Sequence, residues 1–364
     1  MATTTTGPPA ERKHKPRRLT PGFLAFGAVL VWLTMVAPIT VLLTWLFEKP
    51  TIDPLLASLA LAPFAAIGLW RVIQSRNQRL RWPVMQYFGW GAVLSPLILG
   101  GSILTIWLPD RSVGLIVLLA WLACGAGGVM AATHIRERRL AFNHHHLDRA
   151  YKLVQLSDVH VGSRSASFLR RAVNQALSHK PDVLLITGDL IDASAVQPAD
   201  LEALSSLPCP VYLSLGNHER YLDLEAVISM IESQGVDILR SQSVSLGKLQ
   251  IIGIDDADDP EHVENELPPI QRLDDHYRIL LYHRPDGWRA ARRAGIDLML
   301  SGHTHGGQIW PFNLLVKRRF EHLVGLYSEE GRHLYVSPGT GCWGPIMRLG
   351  TRSELTVIEL SPKT

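Results

Sequence analysis

IDLMLSGHTHGG, Ile296–Gly307, joins a short apolar run to two histidines one residue apart, with Gly302 before them and Gly306 and Gly307 after them. The apolar run reads as a buried strand. Two imidazoles set in glycine then mean one of two things. They are a polar loop, or they are ligands on a backbone free to come close to a metal ion. The other strand ends of the chain decide between these.

Working outward, the second half alternates short apolar runs with amphipathic segments. YKLVQLSD (151–158), DVLLITGD (182–189), VYLSLGN (211–217), YRILLYH (277–283) and DLMLSGH (297–303) read as strands. SFLRRAVNQALSH (167–179), LEALSSL (201–207), LEAVISMIESQ (224–234) and WRAARRAG (288–295) read as helices. SVSLGKLQIIGID (243–255) predicts a hairpin at Gly247, and HLYVSPGT (333–340) and ELTVIEL (354–360) finish the chain as strands. This order predicts an α/β domain of two packed sheets flanked by helices.

Each of five strands stops at polar chemistry: Asp158 and His160; Asp189 and Asp192; Asn217, His218 and Glu219; His283; and His303 and His305. Ligands of open α/β sheets sit beyond the carboxyl ends of the strands, so these groups meet at one edge. Mixed imidazole and carboxylate donors suit Zn, Fe or Mn rather than Mg or Ca. A carboxylate can bridge two such ions, and a pair of ions can clamp the attacking and leaving oxygens of an in-line phosphoryl displacement. Any one motif is weak, since D-x-H is common and G-N-H-E fits a turn. Five in order, each closing an apolar strand, are specific.

These residues resemble the calcineurin-like metallophosphoesterase superfamily, whose pattern is D-x-H, G-D-x-x-D, G-N-H-[DE], a lone His and G-H-x-H. The resemblance runs from about Lys152 to the C terminus. It looks closest to a bacterial branch of membrane-attached members whose ending is similar to PGTGCWGPIMRLG (338–350). It implies an αββα sandwich, two divalent ions and a phosphoesterase. By position it implies that Asp158, His160 and His305 hold one ion, that Asn217, His283 and His303 hold the other, and that Asp189 bridges them. His218 is implied to face the leaving oxygen as general acid or charge stabiliser, while Asp192 and Glu219 stand behind the ligands.

The first half differs in composition. Four apolar stretches, near Pro21–Phe47, Pro54–Val72, Val84–Leu108 and Val113–Thr133, approach or exceed the roughly 20 residues needed to cross a bilayer. Basic residues cluster before the first (ERKHKPRR, 11–18), between the second and third (Arg71, Arg76, Arg79, Arg81) and after the fourth (Arg136, Arg138, Arg139). With four spans these clusters fall on one side, which predicts cytoplasmic termini and a cytoplasmic second half at the cell's inner (plasma) membrane. The expected organisation is a basic, disordered tail over 1–20, a transmembrane region with about four helices over 21–133, a linker over 134–150 and the phosphoesterase domain over 151–364. The run His144–His146 in that linker reads as solvated, because no partner stands at metal-site spacing. Three cysteines, Cys124, Cys209 and Cys342, make no disulfide framework. The formal charge of +3 does not call for nucleic acid.

Two features bear on substrate. IWPFNLLVKRRF (309–320) sets apolar residues beside Lys317, Arg318 and Arg319, as at an anionic membrane interface; the alternative is a hairpin packed on the protein itself. In GCWGPIMRLG (341–350), Arg348 is a candidate to hold a phosphate; the alternative is a structural loop. Arg284, after His283, reads as an ion-pair residue. The leading expectation is a hydrolase of phosphoester or diphosphate bonds on a lipid-linked substrate, with membrane lipids as partners. A phosphodiesterase for soluble or cyclic nucleotides, and a membrane scaffold or sensor without catalysis, are the alternatives.

Overall fold

The computed structural model describes residues 28–29, 31–49, 52–74 and 78–363. The expected tail over 1–20 and the start of the first apolar stretch lie outside them. A π-helical turn, Trp32–Val36, leads into the helix Ala37–Leu46, followed by Ile52–Gln74, Gln78–Leu104 and Asp110–Thr133. Two helices, Leu80–Leu104 and Asp110–Thr133, are long and apolar enough to cross a membrane, and Trp32–Leu46 is a shorter apolar helix. Two of the four expected spans therefore meet that measure among the described residues. Leu42, Trp45, Leu94, Ile98, Val113 and Val117 form the buried centre of the helix group. Small residues let these helices come close: a Cβ on Gly125 would sit 1.9 Å from the Trp90 ring. That ring meets Trp121 edge-on at 5.6 Å.

Twelve strands follow: β1 (Arg136–His144), β2 (Tyr151–Leu156), β3 (Val183–Thr187), β4 (Val211–Ser214), β5 (Asp237–Ile238), β6 (Gln242–Leu246), β7 (Leu249–Gly253), β8 (Tyr277–Leu281), β9 (Leu298–Ser301), β10 (Gly325–Glu329), β11 (Arg332–Val336) and β12 (Glu354–Pro362). They make two six-stranded sheets, in the orders β1-β12-β2-β3-β4-β5 and β10-β11-β9-β8-β7-β6. β2, β3 and β4 are parallel, as are β7, β8 and β9. Leu153, Leu185, Ile251, Ile279, Leu298 and Leu300 help fill the space between the sheets. Helices cover both outer faces, with Phe168, Leu169 and Val173 on one sheet and Trp288 and Ala291 against the other. The inner strands are thus buried on both sides, which is why they read as continuous apolar runs and not as alternations. Val244 and Leu246 face Ile251 and Leu249 across the hairpin at Gly247.

One expectation needs correction. Residues 134–150 are not simply a linker, because Arg136–His144 is an edge strand paired in parallel with β12 along its whole length. Leu140 is its buried anchor, while Arg136, Glu137, Arg138 and Arg139 are exposed. Such charge on an edge strand blocks further pairing, and it hides the two-residue period from a sequence reading. The segment 201–207 also differs slightly, forming part of a 3₁₀ turn, Pro198–Leu204, and not an α-helix.

The domain is seated on the helices by its C-terminal loops. Ile309 and Met347 pack with Ala92 and Val93 in one buried cluster, and Phe312 joins its edge. Arg348 N donates to Gly128 O at 3.0 Å and Ser353 N to Ala131 O at 3.0 Å. Ile346 N donates to Gln86 Oε1 at 3.0 Å.

Candidate metal centre

The five strand ends converge. Asp158, His160 and His305 bring one donor atom each within 4.8 Å of one another; so do His160, Asp189 and His218, and so do Asp189, His283 and His303. Asp189 belongs to two of these groups. Its Oδ2 lies 3.0 Å from His283 Nε2 and 3.9 Å from His160 Nε2. On one side of it, His160 Nε2 and His305 Nε2 are 3.1 Å apart, and His305 Nε2 is 3.4 Å from Asp158 Oδ1. On the other, His283 Nε2 is 3.2 Å from His303 Nδ1. Asn217 is 6 % exposed, and its Oδ1 is buried with no hydrogen-bond partner. A buried amide oxygen without a donor is costly, and a cation satisfies it. The donor set and this orphaned oxygen fit a pair of divalent ions, which Asp158, His160, Asp189, Asn217, His283, His303 and His305 would hold.

The geometry has a backbone cost. Asp158, His160, Asp189, His303 and His305 all have φ between 50° and 69°, a region that non-glycine residues avoid. Such strain persists where surrounding contacts enforce it. Here the glycines make the room. A Cβ on Gly302 would lie 2.1 Å from Asp158 Oδ2, and one on Gly216 would lie 2.2 Å from Asp189 Oδ1.

Two acidic residues stand behind the candidate ligands. Asp192 receives Ser163 N on Oδ1 at 2.8 Å and faces His160 Nδ1 with Oδ2 at 3.4 Å. Glu219 is fully buried and accepts from Asp189 N (3.0 Å), Gly216 N (2.9 Å) and Ile191 N (2.9 Å), so it braces two ligand loops against each other. Burial, with the Asp189 carboxylate next in effect, pushes the Glu219 carboxyl up to about 7. His283 Nδ1 meets Thr187 O at 2.9 Å, which turns Nε2 toward Asp189. Burial alone would raise the Asp189 carboxyl, yet His283 and His160 hold it well below the usual range.

His218 stands at the mouth of the site. Its backbone N donates to Asp189 Oδ1 at 2.9 Å, and its ring lies 4.8 Å from His160 and 6.0 Å from Trp343. Burial, then the neighbouring His160, pushes its imidazole down to about 4. Near neutral pH the ring is therefore uncharged, with one ring nitrogen able to donate and the other to accept.

A model of the calcineurin-like phosphoesterase family matches residues 151–307. A phosphodiesterase of Escherichia coli, YaeI, is 31 % identical over 235 residues, a match spanning 58 % of this chain and 82 % of that protein. This chain belongs to the calcineurin-like phosphoesterase family. An uncharacterized metallophosphoesterase of Helicobacter pylori is 35 % identical over 229 residues, 60 % of this chain and 61 % of that protein. A Danio rerio transmembrane protein with a metallophosphoesterase domain is 34 % identical over 238 residues, 57 % of this chain and 53 % of that protein. The chain spans about three fifths of the length of the Helicobacter pylori relative, and it carries both a histidine and aspartate cluster able to hold metal and two helices long and apolar enough to cross a membrane.

Arg348 is placed differently from the expectation that it holds a phosphate. It is 1 % exposed. Nη2 donates to Pro338 O and Gly341 O, both at 2.6 Å, and Nη1 to His305 O at 3.3 Å and Thr351 Oγ1 at 3.2 Å. A planar guanidinium committed to carbonyls cannot also grip a phosphate, so Arg348 pins the C-terminal loop behind His305. Arg284 forms the expected ion pair, with Asp256 at 2.6 Å and Asp258 at 2.6 Å. Sequence reasoning missed Tyr221, whose ring lies 5.6 Å from His218. It also passed over His144, His145 and His146, whose ring nitrogens do come together at the end of β1.

Proposed function

We propose that this family member is a membrane-anchored hydrolase of phosphoester or diphosphate bonds, with two divalent ions of the Mn, Fe or Zn kind and a lipid-linked substrate. The observation that carries the hydrolase reading is Asp189, whose one carboxylate faces both halves of the histidine cluster. Bound ions would supply Lewis-acid activation of a phosphoryl oxygen. The chain's own groups do the rest: Asp192 and Glu219 fix the ligands, and His218 donates a hydrogen bond toward the leaving oxygen. The lipid link is supported by the helix Asn313–Arg319, which has no buried residue and ends in Lys317, Arg318 and Arg319. Leu314 and Leu315 within it, and Trp310 just before it, are exposed, which suits an interface helix, although Ile309 and Phe312 of the same segment pack on the chain's own helices. Four spans, a multi-pass placement in the inner membrane and a cytoplasmic catalytic domain complete the proposal, from the basic flanks.

The Escherichia coli relative is named a phosphodiesterase, and the second reading is a phosphodiesterase, acting on soluble or cyclic nucleotides and held at the membrane for location only. A substrate panel separates them. Full-length protein with Mn should turn over bis-p-nitrophenyl phosphate and lipid diphosphates in mixed micelles, with cyclic nucleotides slower. Faster turnover of nucleotides would favour the second reading, and no turnover of anything would leave a scaffold.

A further inference from the structure

A cavity of about 850 Å³ lies between the start of the Gln78–Leu104 helix and the loop that follows His160. Trp82, Pro83, Phe168 and Ile346 give it apolar walls. A recess sharing Trp82, Gly162 and Ser163 extends it past Arg81 to Gly344. The same loop ties it to the metal centre. Arg164 N donates to His160 O at 2.7 Å, and Ser163 Oγ accepts from Gly344 N at 3.2 Å, next to the Trp343 that faces His218.

Arg164 lines this cavity and is 3 % exposed. Its guanidinium lies on the Phe168 ring, with Cζ 3.8 Å from the centroid, and its Nε and Nη1 have no hydrogen-bond partner. The charges it feels most are those of Arg171 and Arg348, apart from the Cys342 thiol, and no carboxylate is among them. Burial and these like charges push its pKa down. A buried guanidinium without a counter-charge is costly and is retained where something supplies one. Arg81 Nε is also buried and unpartnered, and so is Gln86 Nε2 a turn further along the same helix. Asp200, on the cavity wall, is taken up by Gln197 N at 2.9 Å. Arg81 and Trp82 stand at the start of a membrane-crossing stretch, Leu80–Leu104, where Trp and Arg mark the headgroup level.

We propose that this cleft seats an anionic amphiphile as the hydrolase's substrate, with a phosphate group between Arg164 and Arg81 and an apolar chain along Trp82, Pro83 and Phe168. The substrate role rests on the hydrolase reading above; the binding does not. Arginine suits the task because its fork grips phosphate oxygens two at a time.

The test uses the full chain in detergent micelles, stripped of metal with EDTA so that nothing turns over, and titration calorimetry with dioctanoyl phosphatidic acid. Binding is expected, with dioctanoylglycerol inert and inorganic phosphate much weaker. Arg164→Gln and Arg81→Gln should each weaken it about tenfold or more, the loss expected for hydrogen bonds to charge. Arg170→Gln, an exposed arginine outside the cleft, should bind like the wild type. Arg164→Met should raise the melting temperature of the ligand-free protein, since it removes the uncompensated charge. Undiminished binding by folded Arg164→Gln and Arg81→Gln would overturn the cleft, and Arg81, being half-buried, carries the test should the Arg164 variants not fold. Inorganic phosphate binding as tightly as the lipid would overturn the amphiphile. Turnover of bis-p-nitrophenyl phosphate by the untreated wild type is read separately. Its absence sinks the hydrolase reading, whereas turnover with cleft variants that bind normally sinks this proposal alone.

Discussion

His160 and His305 bring their Nε2 atoms to 3.1 Å from each other, close enough for one cation to be held by both. Asp192 sits behind His160, 3.4 Å from Nδ1. A partner of that kind typically accounts for 10- to 100-fold in metal affinity, that is about 1.4 to 2.8 kcal/mol. Asp192→Asn should therefore still bind metal but release it to a chelator at lower concentration. Competition with a metallochromic dye measures this, and wild-type affinity would remove Asp192 from the centre.

Asp189→Asn should cost both ions, because its carboxylate lies within reach of both groups of histidines. Elemental analysis of the purified variant is expected to find less metal than in any single terminal-ligand variant, such as Asn217→Ala. Two equivalents of metal with near-normal turnover would show that Asp189 bridges nothing.

His218→Ala should keep its metal and lose catalysis by roughly 10²- to 10³-fold, the usual worth of a preorganised hydrogen-bond donor at a site of developing charge. The defect should shrink for p-nitrophenyl esters, whose leaving group needs little help, and grow for alkyl esters. Loss of metal together with activity would make His218 a ligand.

Removal of metal should lower the melting temperature. The ions bind only the folded chain, and ligand at about 100 times its dissociation constant adds about 2.7 kcal/mol. Without them, buried Asp158, Asp189 and five imidazoles face one another. Calorimetry with and without EDTA checks this, and an unchanged transition would mean the centre binds weakly or not at all.

Replacing Lys317, Arg318 and Arg319 with Gln should weaken adhesion of the domain to anionic liposomes by at most roughly 3 kcal/mol, at about 1 kcal/mol for each basic residue near the surface. These residues cap an exposed helix, so turnover of a small soluble ester should stay the same while turnover of a lipid-borne phosphate falls. Equal losses on both substrates would assign the triad to stability.

A reporter active only outside the cytoplasm, fused after Thr364, should be silent. Strong signal would reverse the orientation drawn from the basic flanks.

The sequence alone carried the strand-end pattern of aspartates and histidines and the α/β architecture of two sheets flanked by helices. Both are local: a candidate ligand such as Asp158 or His283 follows its strand by two residues, and an apolar run of four such as Val183–Ile186 announces burial on both faces. It could not decide what Arg348 touches, since its partners Pro338, Gly341 and His305 are loop atoms brought together only by folding. Nor could it show β1, whose pairing with β12 joins residues more than two hundred positions apart. Its exposed Arg and Glu side chains look like a charged linker until a partner strand is present. The cleft around Arg164 is the strongest case. A buried arginine is indistinguishable in sequence from an exposed one. Only folding buries it against the Phe168 ring and leaves its charge to be answered by something else.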